Sequence, residues 1–114
     1  MENCLFCRII RGEIPSAKVY EDETCYAFRD INPQAKTHVI LVPKAHVTDV
    51  CDASEKLDDA ALSHMLRAVK TVARLEGLER GFRMVSNCGP DGCQSVGHWH
   101  IHVLGGEQLK DRMA

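Results

Sequence analysis

The chain is expected to fold as one α+β domain over residues 1–114, with a mainly antiparallel five-stranded sheet, one long helix and a short N-terminal helix. Three observations predict this. Short apolar or β-branched segments follow one another through turns instead of alternating with helices as βαβα. One stretch, from about Ser54 to Glu76, carries a helical period. The length of 114 residues and 45% hydrophobic content suffice for a single core.

The elements read in order as follows. "LFCRIIRGEI" predicts a short helix with Leu5, Phe6, Ile9 and Ile10 on one side, ended by Gly12 and Pro15. "AKVYEDETCYAFRDI" predicts a hairpin: one strand begins at Val19 and Tyr20, "EDET" turns, and Cys25 to Arg29 return. "NPQAK" breaks the chain, and "THVILVP" predicts a buried strand stopped by Pro43. The helix over 54–76 starts at "DASE", which resembles a capping box from Asp52 to Glu55. Its apolar face runs through Leu57, Ala61, Met65, Leu66, Ala68, Val69, Val72 and Leu75, and Gly77 suits its end. "FRMVSN" predicts a strand, "CGPDGC" a turn, and Trp99 to Leu104 the last strand.

Composition excludes several classes. A net charge of −2 and a pI near 6.3 give no basic footprint for nucleic acid. The apolar runs are too short to span a bilayer, and "MENCLFCRIIRGEIP" lacks the apolar core of a signal peptide. A cytoplasmic protein with no membrane partner is the expectation. Six cysteines are then expected as reduced thiols, and among them Cys4 and Cys7 have a chemically suggestive spacing.

"GHWHIHVLGG", Gly97 to Gly106, holds three of the six histidines at alternate positions. On a strand, His98, His100 and His102 share one face, and Trp99, Ile101 and Val103 share the other. Such a row suits either metal chelation or phosphoryl transfer, in which a neutral imidazole attacks phosphorus. The preceding "NCGPDGCQSVG" is small and polar, so backbone N–H groups can approach an anion there. A metal claw has no need of that, whereas a phosphate site does.

"QSVGHWHIHVLGG" resembles the signature of the histidine-triad family of nucleotide hydrolases and transferases. Together with "DINPQAKTHVILVPKAH" it resembles that family's nucleotide-binding, phosphoramidase branch. The similarity runs from about Cys4 to Gly106 and implies a HIT-like fold.

The resemblance implies roles residue by residue. His100 is the nucleophile that takes the α-phosphorus as a nucleotidyl-histidine, and water then releases AMP or GMP. His102 contacts phosphate oxygens, and His38 lies beside the nucleophile. Ser95, with Cys93 and Gln94, forms the segment that meets phosphate and leaving group, and Asn87 lies near phosphate and ribose. Asp30 holds the ribose hydroxyls. Phe6, Ile9, Phe28, Ile31 and Ile40 line the base pocket, although apolar side chains serve equally as core.

By their spacing alone, Cys4 and Cys7 read as a redox pair or as half of a zinc site. Some members of the family place a structural zinc on two N-terminal cysteines, a histidine after "PK" and the first triad histidine. Here those are Cys4, Cys7, His46 and His98. His64 reads as an ordinary surface or rim residue of the long helix.

The expected activity is hydrolysis of purine nucleoside 5′-phosphoramidates, and of acyl- or aminoacyl-adenylates, by a homodimer needing no metal at phosphorus. Three rival readings remain at this level: a dinucleoside polyphosphate hydrolase of the same fold, a nucleotide-binding scaffold with weak catalysis, and a metalloenzyme using His98, His100 and His102 together.

Overall fold

A computed structural model describes residues 3–113. The elements are α1 (Leu5–Ile10), β1 (Lys18–Glu21), β2 (Cys25–Arg29), β3 (Thr37–Pro43), α2 (Val50–Lys56), α3 (Asp59–Leu75), β4 (Phe82–Val85) and β5 (Ile101–Gly105). The five strands form one sheet in the order β1-β2-β3-β5-β4, and every pairing is antiparallel, as expected. Among the described residues no helix is long and apolar enough to cross a membrane.

The period of two along the strands builds two separate cores. On one face, Cys25 and Ala27 of β2, Val39 and Leu41 of β3, and Ile101 and Val103 of β5 meet Met65, Ala68, Val69 and Val72 of α3. On the other, Tyr26, Phe28, Ile40 and Val42 meet Phe6 and Ile9 of α1. Register places Phe28 beside Ile40 and Ile40 beside His102, so the α1 face runs directly into the histidine row. Trp99, Ile101 and Val103 anchor the row in the α3 core, as the alternation predicts.

Two expected elements have different bounds. The helix expected over 54–76 is two helices. Leu57 is extended, with ψ at 144°, and Asp58 caps α3 by accepting the Ala61 N–H at 2.8 Å. α2 starts earlier, at an N-cap of Asp49 whose carboxylate accepts the Asp52 N–H at 2.8 Å, so Asp52 sits inside the first turn instead of capping it. A buried apolar face passes through Met65, Ala68, Val69, Val72 and Ala73, while Leu66 and Leu75 are exposed. The last strand begins at Ile101 instead of Trp99, because the Trp99 N–H donates to the Val47 carbonyl (2.7 Å) and leaves the β ladder.

His64 is a rim residue of α3, as expected, and has a partner the sequence did not suggest. Its Nε2 lies 2.6 Å from Asp22 Oδ2, tying α3 to the β1–β2 turn. Burial opposes ionisation of Asp22. The Tyr20 hydroxyl, the Thr24 N–H, His64 and the Cys25 N–H outweigh it and hold the carboxyl well below the usual carboxylate range.

Because Asp58 caps α3, Asp58→Ala is expected to cost about 1 kcal/mol. Glu55→Ala, at the exposed position a capping box would use, is expected to stay within about 0.5 kcal/mol of the parent. Denaturant midpoints of the two variants check this, and a larger loss from Glu55→Ala contradicts the two-helix arrangement.

Candidate functional site

The row of histidines is fixed by backbone carbonyls, which can only accept. His98 Nε2 lies 2.8 Å from the Pro43 carbonyl oxygen, so that nitrogen carries the proton and Nδ1 keeps a lone pair. His100 Nδ1 lies 2.7 Å from the His98 carbonyl oxygen, so here Nδ1–H donates and Nε2 keeps the lone pair. The Gln34 N–H donates to His38 Nδ1 at 3.0 Å, which puts the proton of His38 on Nε2. That proton goes to His102 Nδ1 at 2.9 Å, and a neutral His102 therefore carries its own proton on Nε2. Thus the main chain assigns three tautomers and His38 relays the fourth to His102, without any carboxylate in the primary contact. Asp30 Oδ2 stands farther off, 3.5 Å from His38 Nε2.

Burial pushes His102 down to about 4, and the neighbouring His100 and His38 add to the shift while Asp30 opposes it. Burial also lowers His38, again against Asp30. Both rings are therefore neutral near pH 7, where the tautomers above apply.

The four residues expected to hold a metal do come together. Their ligand atoms all lie within 4.8 Å of one another. Cys4 Sγ is 3.3 Å from His98 Nδ1, Cys7 Sγ is 3.3 Å from His46 Nδ1, and Cys7 Sγ is 3.5 Å from His98 Nδ1. A tetrahedral zinc, with Zn–S of about 2.3 Å and Zn–N of about 2.0–2.1 Å, gives S···N edges of about 3.6 Å. The donor set is Cys2His2, and His98 presents its lone pair to the cysteines while its other nitrogen is anchored on a carbonyl, as metal-bound histidines usually are. The residues present fit zinc.

The remaining site residues fall into two groups. Phe6, Ile9, Phe28 and Ile40 are buried in the α1 core, whereas Ile31 is 92% exposed and belongs to no core. The Phe6 ring meets Phe28 at 5.6 Å, His98 at 6.0 Å and His100 at 5.0 Å between centroids, all edge-on. Asp30 is half-buried at the end of β2, and its Oδ1 accepts the Asn32 N–H at 2.9 Å.

The second group is the turn before the row. Asn87 Nδ2 donates to the Gly92 carbonyl at 2.7 Å. Cys93 is exposed and has a positive φ of 57°, a region that favours glycine. Ser95 is exposed. Gln94 has a role the sequence did not suggest: its side-chain nitrogen donates to the Thr48 and Val96 carbonyls (2.6 and 3.0 Å), and its oxygen accepts the Gly89 N–H (3.0 Å). The amide thereby fastens the turn to the segment that follows His46. Ser86 was also missed. It accepts the Trp99 indole N–H and donates to the His100 carbonyl, both at 3.0 Å, and so ties the core anchor to the row. A lone serine at the end of a strand carries no sequence signal for such a role.

Known proteins resemble the chain closely. A family model described as HIT domain matches residues 11–109. A 14 kDa zinc-binding protein of Zea mays is 51% identical over 107 residues, spanning 92% of this chain and 83% of the relative. An adenylylsulfatase of Arabidopsis thaliana is 48% identical over 107 residues, spanning 92% and 72%. The solved structure of a histidine triad protein from Clostridium difficile has a TM-score of 0.91 at 42% identity, covering 98% of this chain and 97% of that one.

The half-buried, neutral His102 predicts a pH dependence. His102 falls from its ordinary 6.5 to about 4 on folding. The unfolded chain therefore binds more protons between those values, and stability rises with pH across that window. The contribution is fully present above about 6.5 and is lost as pH falls towards about 4. Urea titrations at several pH values are expected to show a smaller slope for His102→Gln than for the parent; equal slopes contradict the burial of a neutral ring.

Proposed function

The chain belongs to the HIT domain family, and from that premise we propose that it hydrolyses purine nucleoside 5′-phosphoramidates, and acyl- or aminoacyl-adenylates, at the α-phosphorus. The observation that carries this reading is the tautomer of His100. With Nδ1–H held by the His98 carbonyl at 2.7 Å, Nε2 keeps the lone pair needed for attack. As the Nε2–P bond forms and the bond to the leaving group breaks, the electron pair goes with that group, an amine taking up a proton from water and a carboxylate leaving as the anion; the ring becomes cationic, and the Nδ1–H bond to the carbonyl strengthens with it. Water then attacks the nucleotidyl-histidine, releases the nucleoside monophosphate and restores neutral His100.

The neighbouring groups complete the reading. His102, with Nε2–H, donates to a phosphate oxygen, and His38 maintains that tautomer from behind. Backbone N–H groups of Cys93 to Ser95 and the Asn87 amide meet the phosphate, and the Ser95 hydroxyl faces the leaving group. Asp30 takes the ribose hydroxyls with its remaining lone pairs. Phe6, Ile9, Phe28 and Ile40 form the floor under the base, and the exposed Ile31 covers it. The named activity of the Arabidopsis relative supports an adenylyl substrate.

Zinc is proposed at Cys4, Cys7, His46 and His98, supported by the fit of the donors and by the name of the Zea mays relative. Its chemistry there is structural: it would hold α1 against the base of the row. A homodimer is proposed through β4, which is an edge strand with Phe82 and Met84 exposed.

His100→Ala is expected to lower hydrolysis of adenosine 5′-phosphoramidate by roughly a thousandfold or more, with the circular dichroism spectrum unchanged. Hydrolysis near the parent rate contradicts the proposed nucleophile. Product analysis with diadenosine tetraphosphate as a competing substrate is expected to favour the phosphoramidate, and preference for the tetraphosphate would support the rival hydrolase. In metal analysis, Cys4→Ser/Cys7→Ser is expected to hold about one zinc per chain fewer than the parent; equal zinc in the two proteins contradicts the assignment.

A further inference from the structure

Two cysteines that the triad does not use stand together although they are distant in sequence. Cys51 lies in the first turn of α2 and is exposed, and Cys88 opens the turn after β4 and is partly buried. With Asp49, the N-cap of α2, they bring two sulfur atoms and a carboxylate oxygen within 4.8 Å of one another. A tetrahedral cation with metal–sulfur bonds of about 2.3 Å and a metal–oxygen bond of about 2.0–2.2 Å has ligand edges of about 3.6–3.8 Å. Rotation about the cysteine Cα–Cβ bonds covers that difference.

The backbone holding these donors is fixed by other contacts. Asp49 Oδ1 accepts the Asp52 N–H at 2.8 Å, which orients the carboxylate. Gly92 packs so tightly on Cys88 that a Cβ there would lie 2.5 Å from its carbonyl oxygen. The two segments are also laced together by Gln94 Nε2 to the Thr48 carbonyl (2.6 Å) and Trp99 N–H to the Val47 carbonyl (2.7 Å). The donors thus face one another across a seam that exists without them.

We propose that Asp49, Cys51 and Cys88 form a second metal site, for a thiophilic divalent cation of the zinc and cadmium class, with the open side at Cys51 left to water. Two thiolates and a carboxylate suit such an ion, and three protein ligands with one open position is a common arrangement for it. Binding displaces both thiol protons to solvent, so affinity rises with pH. The site shares no residue with Cys4, Cys7, His46 and His98. Its occupation fastens the turn that leads to Ser95 onto α2.

The test titrates the reduced full-length chain with cadmium alone, following the ultraviolet thiolate-to-cadmium charge-transfer band. Cys51→Ser/Cys88→Ser is expected to take up one equivalent fewer than the parent. Cys93→Ser, nearby but outside the cluster, is expected to match the parent. Equal stoichiometry in the parent and the Cys51→Ser/Cys88→Ser protein overturns the proposal. Because the readout is a difference of one equivalent, it stands whether or not the Cys4 and Cys7 cluster binds metal: failure there lowers both counts together. Asp49→Asn, which retains a helix cap, is expected to weaken cadmium binding at this site by at least about tenfold; unchanged affinity removes the carboxylate from the ligand set.

Discussion

His98 is the residue through which the rest of the site is held. Its ring donates to the Pro43 carbonyl at 2.8 Å, and its other nitrogen faces Cys4 and Cys7. Its own carbonyl takes the Nδ1–H of His100 at 2.7 Å. One residue therefore ties the end of β3, the N-terminal helix and the reactive imidazole into a single framework. Because it is fully buried, water does not compete for any of these bonds. An imidazole pair would drift between tautomers in water. Here the carbonyls assign protons before any substrate arrives, which is the sense in which such a site is preorganised.

The sheet faces were legible in the sequence because a period of two is a local property. Trp99, Ile101 and Val103 alternate with His98, His100 and His102, and no distant contact is needed to know that they part company. The antiparallel character followed from the short turn of the β1–β2 hairpin, whereas the place of β5 beside β3 did not, because α2, α3 and β4 lie between them in sequence. The tautomers of His98 and His102 were not legible, since they depend on groups that arrive from far along the chain: the Pro43 carbonyl for His98 and the His38 ring for His102. The same holds for Gln94 and His64, whose partners Thr48 and Asp22 lie far along the chain. The helix break had a local sign that went unread. "LDD" places an aspartate before a second apolar run, and Asp58 at that point stops one helix and starts another. Resemblance to relatives supplied the Cys4, Cys7, His46 and His98 set, which spacing alone leaves ambiguous.

The two cores divide the labour between the faces of one sheet. The α3 face is closed by a 17-residue helix and holds the row still from behind. The α1 face is closed by a six-residue helix and borders the histidine row. A helix that short gains little from its own hydrogen bonds and is stable only through docking. Its docking uses two kinds of contact. Phe6 and Ile9 bury against Phe28 and Ile40, and Cys4 and Cys7 reach His98 and His46.

Phe6 makes those two kinds of contact interdependent. Its ring meets Phe28 and both His98 and His100 of the row, each edge-on. Movement of α1 away from His98 therefore draws Phe6 off His100 and Phe28 in the same step. A metal at the cysteine cluster would reach His100 by two routes, through Phe6 and through His98, which lends its ring to the cluster and its carbonyl to His100. The division separates the two ends of His98: its ring meets the cysteine cluster and its carbonyl meets the His100 ring.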